Sequence, residues 1–382
     1  MKASAALRDK RRERALQRAL SAPMRPEWLH TLPGWNHYSH EHLVVPSLAD
    51  HPALKEEKER RKDPRLGFLG HLMMVESAAA SAGMDDVLEA VLVNSRRREG
   101  LSDRVIDGLS GTGKSMLLRT IGRAVQLEIE EHPHFAGSQI PVVHILAPAD
   151  TDNKINWIWE IACFLGLNPE PTTEDDLMRW RSYPDLSVPV NYVLETALTR
   201  LLLVDDIQRV TPAQLAPVLH YFDYLRNRLG ITTVFCGTGA SSIVHEARAI
   251  ADRHTIVVRQ RAERLARARE QDPAHPGYTA ADEKDELAYG RLPVTWLDPI
   301  PFDRHDKTSW PTVLAGYEKH LCLHNLDEKA LTKHSLYLHR RTGGYFRDLS
   351  QLISQAATRA VLTGTENITL TELAAVTTSR DH

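Results

Sequence analysis

The chain has 382 residues, of which 42% are hydrophobic and 25% are charged, and this length predicts two or three domains with buried cores. A formal net charge of -3 at pH 7 excludes a uniformly basic, histone-like protein, although local basic surfaces remain compatible with it. The three cysteines are too few for a disulfide framework and no apolar run is long enough to span a membrane, so we expect a cytoplasmic protein without a membrane partner.

The N-terminal residues 1–25 form a basic tail, with eight lysines and arginines against two acidic residues. Such a tail is either solvated and disordered or an arm that contacts phosphate groups, and the sequence leaves both interpretations open. Residues 26–68 are rich in proline, histidine and tryptophan before a charged stretch, which predicts an irregular lead-in segment and then the start of a helix. The spacing of its histidines matches no structural zinc site.

Residues 69–302 have the pattern of an α/β core. Between Leu69 and Arg98 apolar residues recur at helical spacing and end in three arginines, which predicts a helix and its C-terminus. Short apolar runs then alternate with stretches of helical length, which favours a parallel sheet flanked by helices. The runs are VID at 105–107, PVVHILAP at 141–148, RLLLVDD at 200–206, TTVFCGTG at 232–239 and LPVTWL at 292–297.

Two segments depart from this alternation. Residues 250–290 begin with many arginines and continue with proline and glycine, which indicates a basic insertion in the core. Residues 303–382 contain helical patterns only, with a turn at 342–344, so we expect an all-helical C-terminal domain there.

A glycine-rich loop at residues 108–115, GLSGTGKS, satisfies the pattern G-x-x-x-x-G-K-[ST] at every position. Its glycines let the backbone wrap closely around a polyphosphate, and the helix that follows adds its positive N-terminal dipole. Lys114 supplies a positive charge to the β- and γ-phosphates, and the Ser115 hydroxyl is a ligand for Mg²⁺. The sequence therefore predicts a site for ATP and Mg²⁺, built by Gly108, Ser110, Gly111, Thr112, Gly113, Lys114, Ser115 and Met116.

The run RLLLVDD ends in two acidic residues, downstream of this loop. A strand end there brings Asp205 beside the loop, where its carboxylate can hold the Mg²⁺ ion, unless the pair is an ordinary acidic strand end. Asp206 is then the candidate to polarise the attacking water. Because aspartate is shorter than the more usual glutamate by one methylene, roughly 1.5 Å of reach, we expect slow ATP hydrolysis.

Three further signals are weaker. Thr238 follows the run TTVFC and could contact the γ-phosphate, although a plain turn explains it equally well. Cys236 is predicted to be buried and unreactive, because no histidine is placed to activate it. The pattern His320-x-Cys322-x-His324 suggests a metal site, but alternate spacing on a predicted helix would spread the three side chains around it.

Five sequence blocks follow one another along the chain: the phosphate loop, LLLVDDIQ, VFCGTG, GRLPVTWLDPIPF and YLHRRTGGYFRDLSQLISQAATRAVLTGTENIT. In this order they resemble the TniB/TnsC group of AAA+ ATPases, the target-selecting and transposase-activating proteins of bacterial transposons. The resemblance covers about residues 35–375 and implies an AAA+ P-loop NTPase core with a C-terminal all-α lid. It also implies an ATP-bound form that assembles with itself, as a ring or helical filament, on double-stranded DNA. That assembly would recruit a transposase near the bacterial nucleoid, with a target-selecting adaptor protein as a further partner, until hydrolysis resets it.

The resemblance also assigns roles to single positions. Lys114, Ser115 and Asp205 match the residues of the phosphate and Mg²⁺ sites, whereas Asp206 stands where these proteins usually have glutamate. Gln208 stands where TniB-like sequences often have histidine. Arg291 matches the arginine that reaches a neighbouring subunit's γ-phosphate, and its alternative is a surface arginine. Arg347 matches a lid arginine that contacts the nucleotide of its own subunit, and its alternative is a salt bridge within the lid.

DNA contacts in such ATPases come from loops that project from the core toward a central pore. The candidates here are Lys154, Arg179 and Arg181, which would contact phosphates without reading the base sequence. The arginines of the insertion at 250–290 line a DNA channel or cover a solvated helix, and both interpretations stay open.

Two other functions are compatible with the same phosphate loop. The strand RLLLVDDIQ also resembles signalling switches of the STAND type, and helicase loaders or replication initiators share the superfamily. A transposase gene directly upstream, or assembly on duplex DNA with an ATP analogue, would favour transposition over both.

Overall fold

The computed structural model describes residues 29–41, 44–70, 77–96, 99–135, 137–148, 154–167, 186–253, 292–303 and 309–378. The side chains of residues 154–156 and 253 lie outside this description. The predicted basic tail at 1–25, and the predicted insertion from residue 254 onward, also lie outside it.

Five parallel strands form the central sheet of the described residues, in the spatial order β2-β3-β4-β1-β5. They are β1 (Arg104–Gly108), β2 (Val142–Leu146), β3 (Leu201–Asp205), β4 (Thr232–Cys236) and β5 (Val294–Leu297). Each predicted apolar run coincides with or overlaps one of these strands, so the predicted parallel sheet is confirmed. β3 and β4 are buried along their whole length, as expected of strands covered on both faces.

Helices cover this sheet and form a second region at the C-terminus. They are α1 (Leu32–His40), α2 (Glu57–Arg60), α3 (Arg65–Gly70), α4 (Ala78–Arg96), α5 (Lys114–Glu130), α6 (Lys154–Phe164), α7 (Ser187–Thr196), α8 (Pro212–Leu215), α9 (Leu219–Leu229), α10 (Ala240–Arg253), α11 (Ser309–Glu318), α12 (Ala330–Lys333), α13 (Ser335–Thr342), α14 (Phe346–Thr363) and α15 (Leu370–Ala374), with 3₁₀ turns at Ile207–Arg209 and Ala216–Val218. None of the helices in the described residues is both long and apolar enough to cross a bilayer.

The strand order places three loops side by side. β1 pairs with β4, and β4 pairs with β3, all in parallel, so the loops that follow them leave the same edge of the sheet. Binding sites in parallel sheets lie at this carboxyl edge. The phosphate loop follows β1, the two acidic residues end β3, and Thr238 follows β4.

The C-terminal region is helical, as predicted, and has an apolar core of its own. Fully buried residues of that core include Leu314, Leu338 and Leu349. Close to β5, the N–H of Ile300 donates to the carbonyl of Gly344 at 2.9 Å, which fixes the start of the region against the turn before α14. A Cβ at Gly344 would lie 2.1 Å from the Ile300 carbonyl oxygen, so this contact requires glycine.

The lead-in segment, predicted to be irregular, contains the helix α1. The Thr31 hydroxyl caps it by accepting from the Gly34 N–H at 3.3 Å, and Pro33 lies in the first turn, where a missing N–H costs nothing. Trp35 is fully buried against α5, and its Nε1 donates to Gln126 Oε1 at 3.4 Å. This part of the lead-in therefore belongs to the α/β core.

Residues 44–70 pack instead on the C-terminal region. Arg65 is completely buried between Asp63 and Glu366, and its Nη2 lies 2.7 Å from an oxygen of each carboxylate. Ser354 donates through its hydroxyl to the carbonyl of Leu69. Leu69 thus belongs to the C-terminal core, whereas α4 packs on the α/β core. The helix predicted from Leu69 therefore begins only at Ala78.

The segment 320–324, predicted to be helical, is a loop. α11 ends at Glu318, and the buried side chains of Arg65 and Glu366 bind the backbone beyond it. Arg65 Nη1 donates to the Cys322 carbonyl at 3.1 Å, and Glu366 Oε2 accepts from the His324 N–H at 3.2 Å. Within the described ranges, no group of three or more histidine, cysteine or acidic side chains is arranged to hold a metal ion.

Candidate nucleotide-binding site

The phosphate loop joins β1 to α5 and has the backbone conformation that its glycines permit. Gly113 has a φ of 95° and precedes the first residue of α5, so the loop turns sharply into the helix N-terminus. Gly108 lies so close to β5 that a Cβ would be 2.1 Å from the Leu297 carbonyl oxygen. Both positions therefore exclude other residues, in agreement with the motif.

Lys114 is buried at the start of α5. Its Nζ donates to the Leu109 carbonyl at 2.7 Å, across the inside of the loop. Burial lowers the pKa of the Lys114 ammonium, and the nearby acids Asp107, Asp205 and Asp206 oppose that shift. A phosphate in the loop would give this ammonium a stronger partner than the carbonyl.

Ser115 and Asp205 meet at the predicted metal position. The Ser115 hydroxyl donates to Asp205 Oδ1 at 3.0 Å, and the N–H of Asp206 donates to the same oxygen at 2.9 Å. Burial raises the pKa of Asp205, and the charge of Asp206 raises it further. A hydroxyl and a carboxylate are hard oxygen ligands of the kind that Mg²⁺ prefers, and a cation would offset the cost of this buried charge, so the residues fit the ion.

Asp206 has an unusual backbone conformation for a residue with a side chain, with φ 56° and ψ 43°. Its Oδ1 accepts a hydrogen bond from Gln208 Nε2 at 2.9 Å. The other end of the same amide, Gln208 Oε1, accepts from the Thr238 N–H at 3.1 Å. The loop after β3 and the loop after β4 are therefore joined by one side chain.

Asp107, in β1, is a part of the site that the sequence motif did not identify. Its Oδ1 accepts from the N–H groups of Gly108 at 2.6 Å and Gly239 at 2.8 Å. Its Oδ2 accepts from both the N–H and the hydroxyl of Ser241, at 2.9 and 2.7 Å. Burial alone would raise the pKa of Asp107, but these hydrogen bonds outweigh it and the pKa is lowered. An acidic residue inside an apolar strand was the available signal.

The C-terminal region closes the site from the opposite side. At the start of α14 the N–H of Arg347 donates to the Gly111 carbonyl at 3.0 Å, and the ring of Phe346 lies against Gly113. The Arg347 side chain is 59% exposed, and its Nε is 3.8 Å from Asp348 Oδ1, so it is free enough to turn toward a ligand. The phosphate loop and the C-terminal region are thus in direct contact.

A cavity of about 300 Å³ lies between the phosphate loop, the strand ends and the C-terminal region. Most of the predicted ligand-binding residues line it, namely Ser110, Gly111, Thr112, Gly113, Lys114, Ser115, Met116, Asp206, Thr238 and Arg347. Gly108 and Asp205 lie directly behind this wall through the contacts given above. The volume is at the lower end of the range for small-molecule sites.

Other lining residues were not predicted from the sequence. They come from α4 and its N-terminal flank, from the loops after β3 and β4, from β5 and from the C-terminal region, and are Ser77, Ala80, Gln208, Gly237, Leu297, Tyr317, Phe346 and Ser350. Burial raises the pKa of Tyr317 to about 12, so its hydroxyl stays protonated at neutral pH. No local motif marks these residues, because only the packing of distant segments brings them to the cavity.

Four of the predicted residues cannot be placed at the site. Arg179, Arg181 and Arg291 lie outside the described residues. Lys154 begins α6, beyond the carboxyl end of β2, and its side chain lies outside the description. Their predicted roles therefore remain predictions.

A family model agrees with this architecture. Residues 104–241 match the model of a family described as "AAA domain". No curated protein matches the chain in sequence. Among solved structures, the chain is similar to the Aeropyrum pernix ORC1 protein in complex with DNA, with a TM-score of 0.47, 14% identity and coverage of 84% of this chain and 70% of that chain.

Two further solved structures show a comparably low similarity to the chain. The Aeropyrum pernix ORC2 protein in ADPNP–ADP complexes has a TM-score of 0.43 and 15% identity, covering 82% of this chain and 70% of that chain. Domain III of the Thermotoga maritima replication initiation protein DnaA has a TM-score of 0.41 and 17% identity, covering 78% and 91%. These likenesses are too distant to bear on function. The strand order, the phosphate loop and the matched family model together give the fold of an AAA+ P-loop NTPase with a helical C-terminal region.

Proposed function

We propose that this chain, with an AAA domain on an AAA+ P-loop fold, binds and hydrolyses ATP with Mg²⁺ and uses ATP binding to assemble on double-stranded DNA during transposition. One observation supports the proposed ATP binding. Ser115 Oγ lies 3.0 Å from Asp205 Oδ1, beside a glycine-rich loop that contains the buried Lys114. That arrangement would place a pair of metal ligands beside a phosphate cradle at the wall of one cavity.

The residues of the cavity divide the work of phosphoryl transfer. Lys114 would exchange the Leu109 carbonyl for phosphate oxygens, and the backbone N–H groups of the loop would hold the same oxygens. Ser115 and Asp205 would hold Mg²⁺, which would supply neutralisation of the phosphate charge. Asp206 would polarise the attacking water, and Thr238 would contact the γ-phosphate. Since Asp206 is short, we expect hydrolysis to be slow.

The contact between Arg347 and the phosphate loop supports a link between nucleotide state and the C-terminal region. Because the N–H of Arg347 binds Gly111, a ligand that reshapes the loop also acts on the start of α14. The Arg347 side chain would add a positive charge over the nucleotide. Arg291 would act in a neighbouring subunit, which makes hydrolysis depend on assembly.

The assignment to transposition rests on the ordered sequence blocks that resemble TniB/TnsC proteins. In this proposal Lys154, Arg179 and Arg181 contact DNA phosphates, and the assembled form recruits a transposase together with a target-selecting adaptor. A signalling switch of the STAND type or a replication initiator would share the ATP site. Neither would recruit a transposase, which is the property that separates the proposals.

The test combines nucleotide binding with electron microscopy of the purified protein on duplex DNA. With a non-hydrolysable ATP analogue we expect ordered rings or filaments, and Lys114→Ala should abolish both analogue binding and assembly. The exposed Lys319→Ala is the matched control and should assemble like the wild type. ATP-dependent assembly by Lys114→Ala would contradict the site. Analogue binding by the wild type without any assembly on DNA would contradict the DNA function alone.

A further inference from the structure

Gln208 connects the loop after β3 with the loop after β4 through the two hydrogen bonds described above. We propose that Gln208 is a positioning residue for hydrolysis, which holds the Asp206 carboxylate and ties its orientation to the loop that carries Thr238. The inference rests on the proposed ATPase function and adds a residue to which that function assigns no role.

The polarity of the amide fixes its direction. A backbone N–H can only donate, so the Thr238 N–H must meet the oxygen of the Gln208 amide. The amide nitrogen of Gln208 then faces Asp206 Oδ1 and donates to it, because an ionised carboxylate can only accept hydrogen bonds. The two bonds therefore determine each other, and Gln208 keeps one oxygen of Asp206 occupied while Oδ2 is left to receive a proton from water.

The backbone of Asp206 is fixed separately from its side chain. Its N–H donates to Asp205 Oδ1 at 2.9 Å, and its carbonyl accepts from the Arg209 N–H at 3.0 Å. These bonds hold the left-handed conformation, which is uncommon outside glycine. They leave the carboxylate torsion free, and Gln208 is the residue that restrains it.

Gly237 provides the space for this link. A Cβ at Gly237 would lie 2.2 Å from Gln208 Oε1 and 2.9 Å from Ile207 Cγ2. The Gly237 N–H is itself held by the Ile106 carbonyl of β1 at 3.1 Å. A displacement of Thr238 toward a phosphate therefore acts on the Gln208 amide directly, and through it on Asp206.

The test compares Gln208→Met, which keeps the length but removes both bonds, with Gln208→Glu, which keeps an acceptor for Thr238 but cannot donate to Asp206. Both should lower kcat for ATP about tenfold, the equivalent of one lost hydrogen bond to a charged group, with KM changed less than about twofold. Added to Asp206→Asn, Gln208→Met should cause no further loss, because it acts through Asp206. Gln214→Met, which removes the same side-chain amide from the capping box of α8, should leave kcat unchanged.

A second readout needs no nucleotide. Amide hydrogen exchange at Thr238 should be faster in Gln208→Met than in the wild type and protected in Gln208→Glu, while exchange in the preceding strand β4 stays unchanged. Wild-type kcat in Gln208→Met, additive losses with Asp206→Asn, or unchanged exchange at Thr238 would each overturn the inference and leave the ATPase proposal intact. ATP binding without hydrolysis by the wild type would instead overturn the role of Asp206, and this inference with it.

Discussion

Asp107 joins the phosphate loop to the loop after β4, because it accepts hydrogen bonds from Gly108, Gly239 and Ser241 at once. Both oxygens of the carboxylate are used, and each of them faces only donors. In asparagine, the side-chain NH₂ group would replace one of these oxygens and would face two hydrogen-bond donors without an acceptor. The charge, and not only the shape, of this residue is therefore needed.

Asp107→Asn should lower the free energy of unfolding by about 2 to 3 kcal/mol at pH 7, as expected when buried donors lose a charged acceptor. Since the folded-state pKa of Asp107 is lowered, its contribution is present above the unfolded pKa of about 3.9 and is lost as the pH falls through the folded pKa. The variant should therefore lose less stability than the wild type on acidification below about pH 4. Urea unfolding across this range measures both effects.

Asp85→Asn, at an exposed position of α4, is the control for the loss of a carboxylate. It should leave both the stability at pH 7 and its decline in acid close to the wild type. Equal pH dependence in the wild type and Asp107→Asn would show that the four hydrogen bonds do not stabilise the charged form.

At the scale of elements, α1 packs against α5, the helix after the phosphate loop, at Gly122. The Trp35 ring and the Leu203 side chain of β3 together fill the space that a side chain at Gly122 would take. The helix that presents Lys114 and Ser115 is thus held between the sheet and the lead-in segment. Movement of α1 would act on the same helix that binds phosphate.

Gly122→Ala should destabilise the fold by about 1 to 3 kcal/mol, although alanine favours helices by about 1 kcal/mol over glycine. The added Cβ would lie 2.5 Å from Leu203 Cδ1 and 2.7 Å from Trp35 Cη2, both in fully buried side chains. Gly67→Ala in α3, where no atom lies within 4 Å, is the control and should be neutral or slightly stabilising. Thermal unfolding distinguishes them, and equal midpoints would contradict the packing.

The sequence predicted those elements whose signal is local. The strands were recognisable because buried parallel strands are continuous apolar runs, and the loop GLSGTGKS because a polyphosphate demands glycine at fixed positions. α1 was not predicted, because its stability comes from Trp35 and Gln126 meeting across the fold. The loop at 320–324 escaped prediction for the same reason, since Arg65 and Glu366 hold it from a distance. The link through Gln208 likewise needs two loops to meet.

At the scale of the whole molecule, the chain alternates between its two regions. Residues 29–41 pack on the α/β core, 44–70 on the C-terminal helices, and α4 on the core again. The second of these contacts depends on the buried ion group of Asp63, Arg65 and Glu366. We propose on this basis that the helical region includes the second half of the lead-in, and not only residues 303–382.

Arg65→Met should lower the free energy of unfolding by about 3 to 5 kcal/mol, because two buried carboxylates lose their common counter-charge. Arg61→Met is the control, since its partner Glu57 and Arg61 itself are 64% and 70% exposed and such pairs contribute at most about 1 kcal/mol. Chemical denaturation followed by tryptophan fluorescence measures both variants. A loss of the same size in both would show that the buried group has no special weight.

The ion group also sets an order of events during synthesis. Arg65 and Glu366 are separated by 301 positions, so at about 5 to 20 residues per second the ribosome delivers Glu366 about 15 to 60 s after Arg65. The five strands of the α/β core all precede residue 298, so this core can fold in that time. Arg65, in contrast, lacks its partner Glu366 until that residue has been synthesised. The helical region therefore matures after the α/β core, and its contact with the phosphate loop through Arg347 forms only after that core can already have closed.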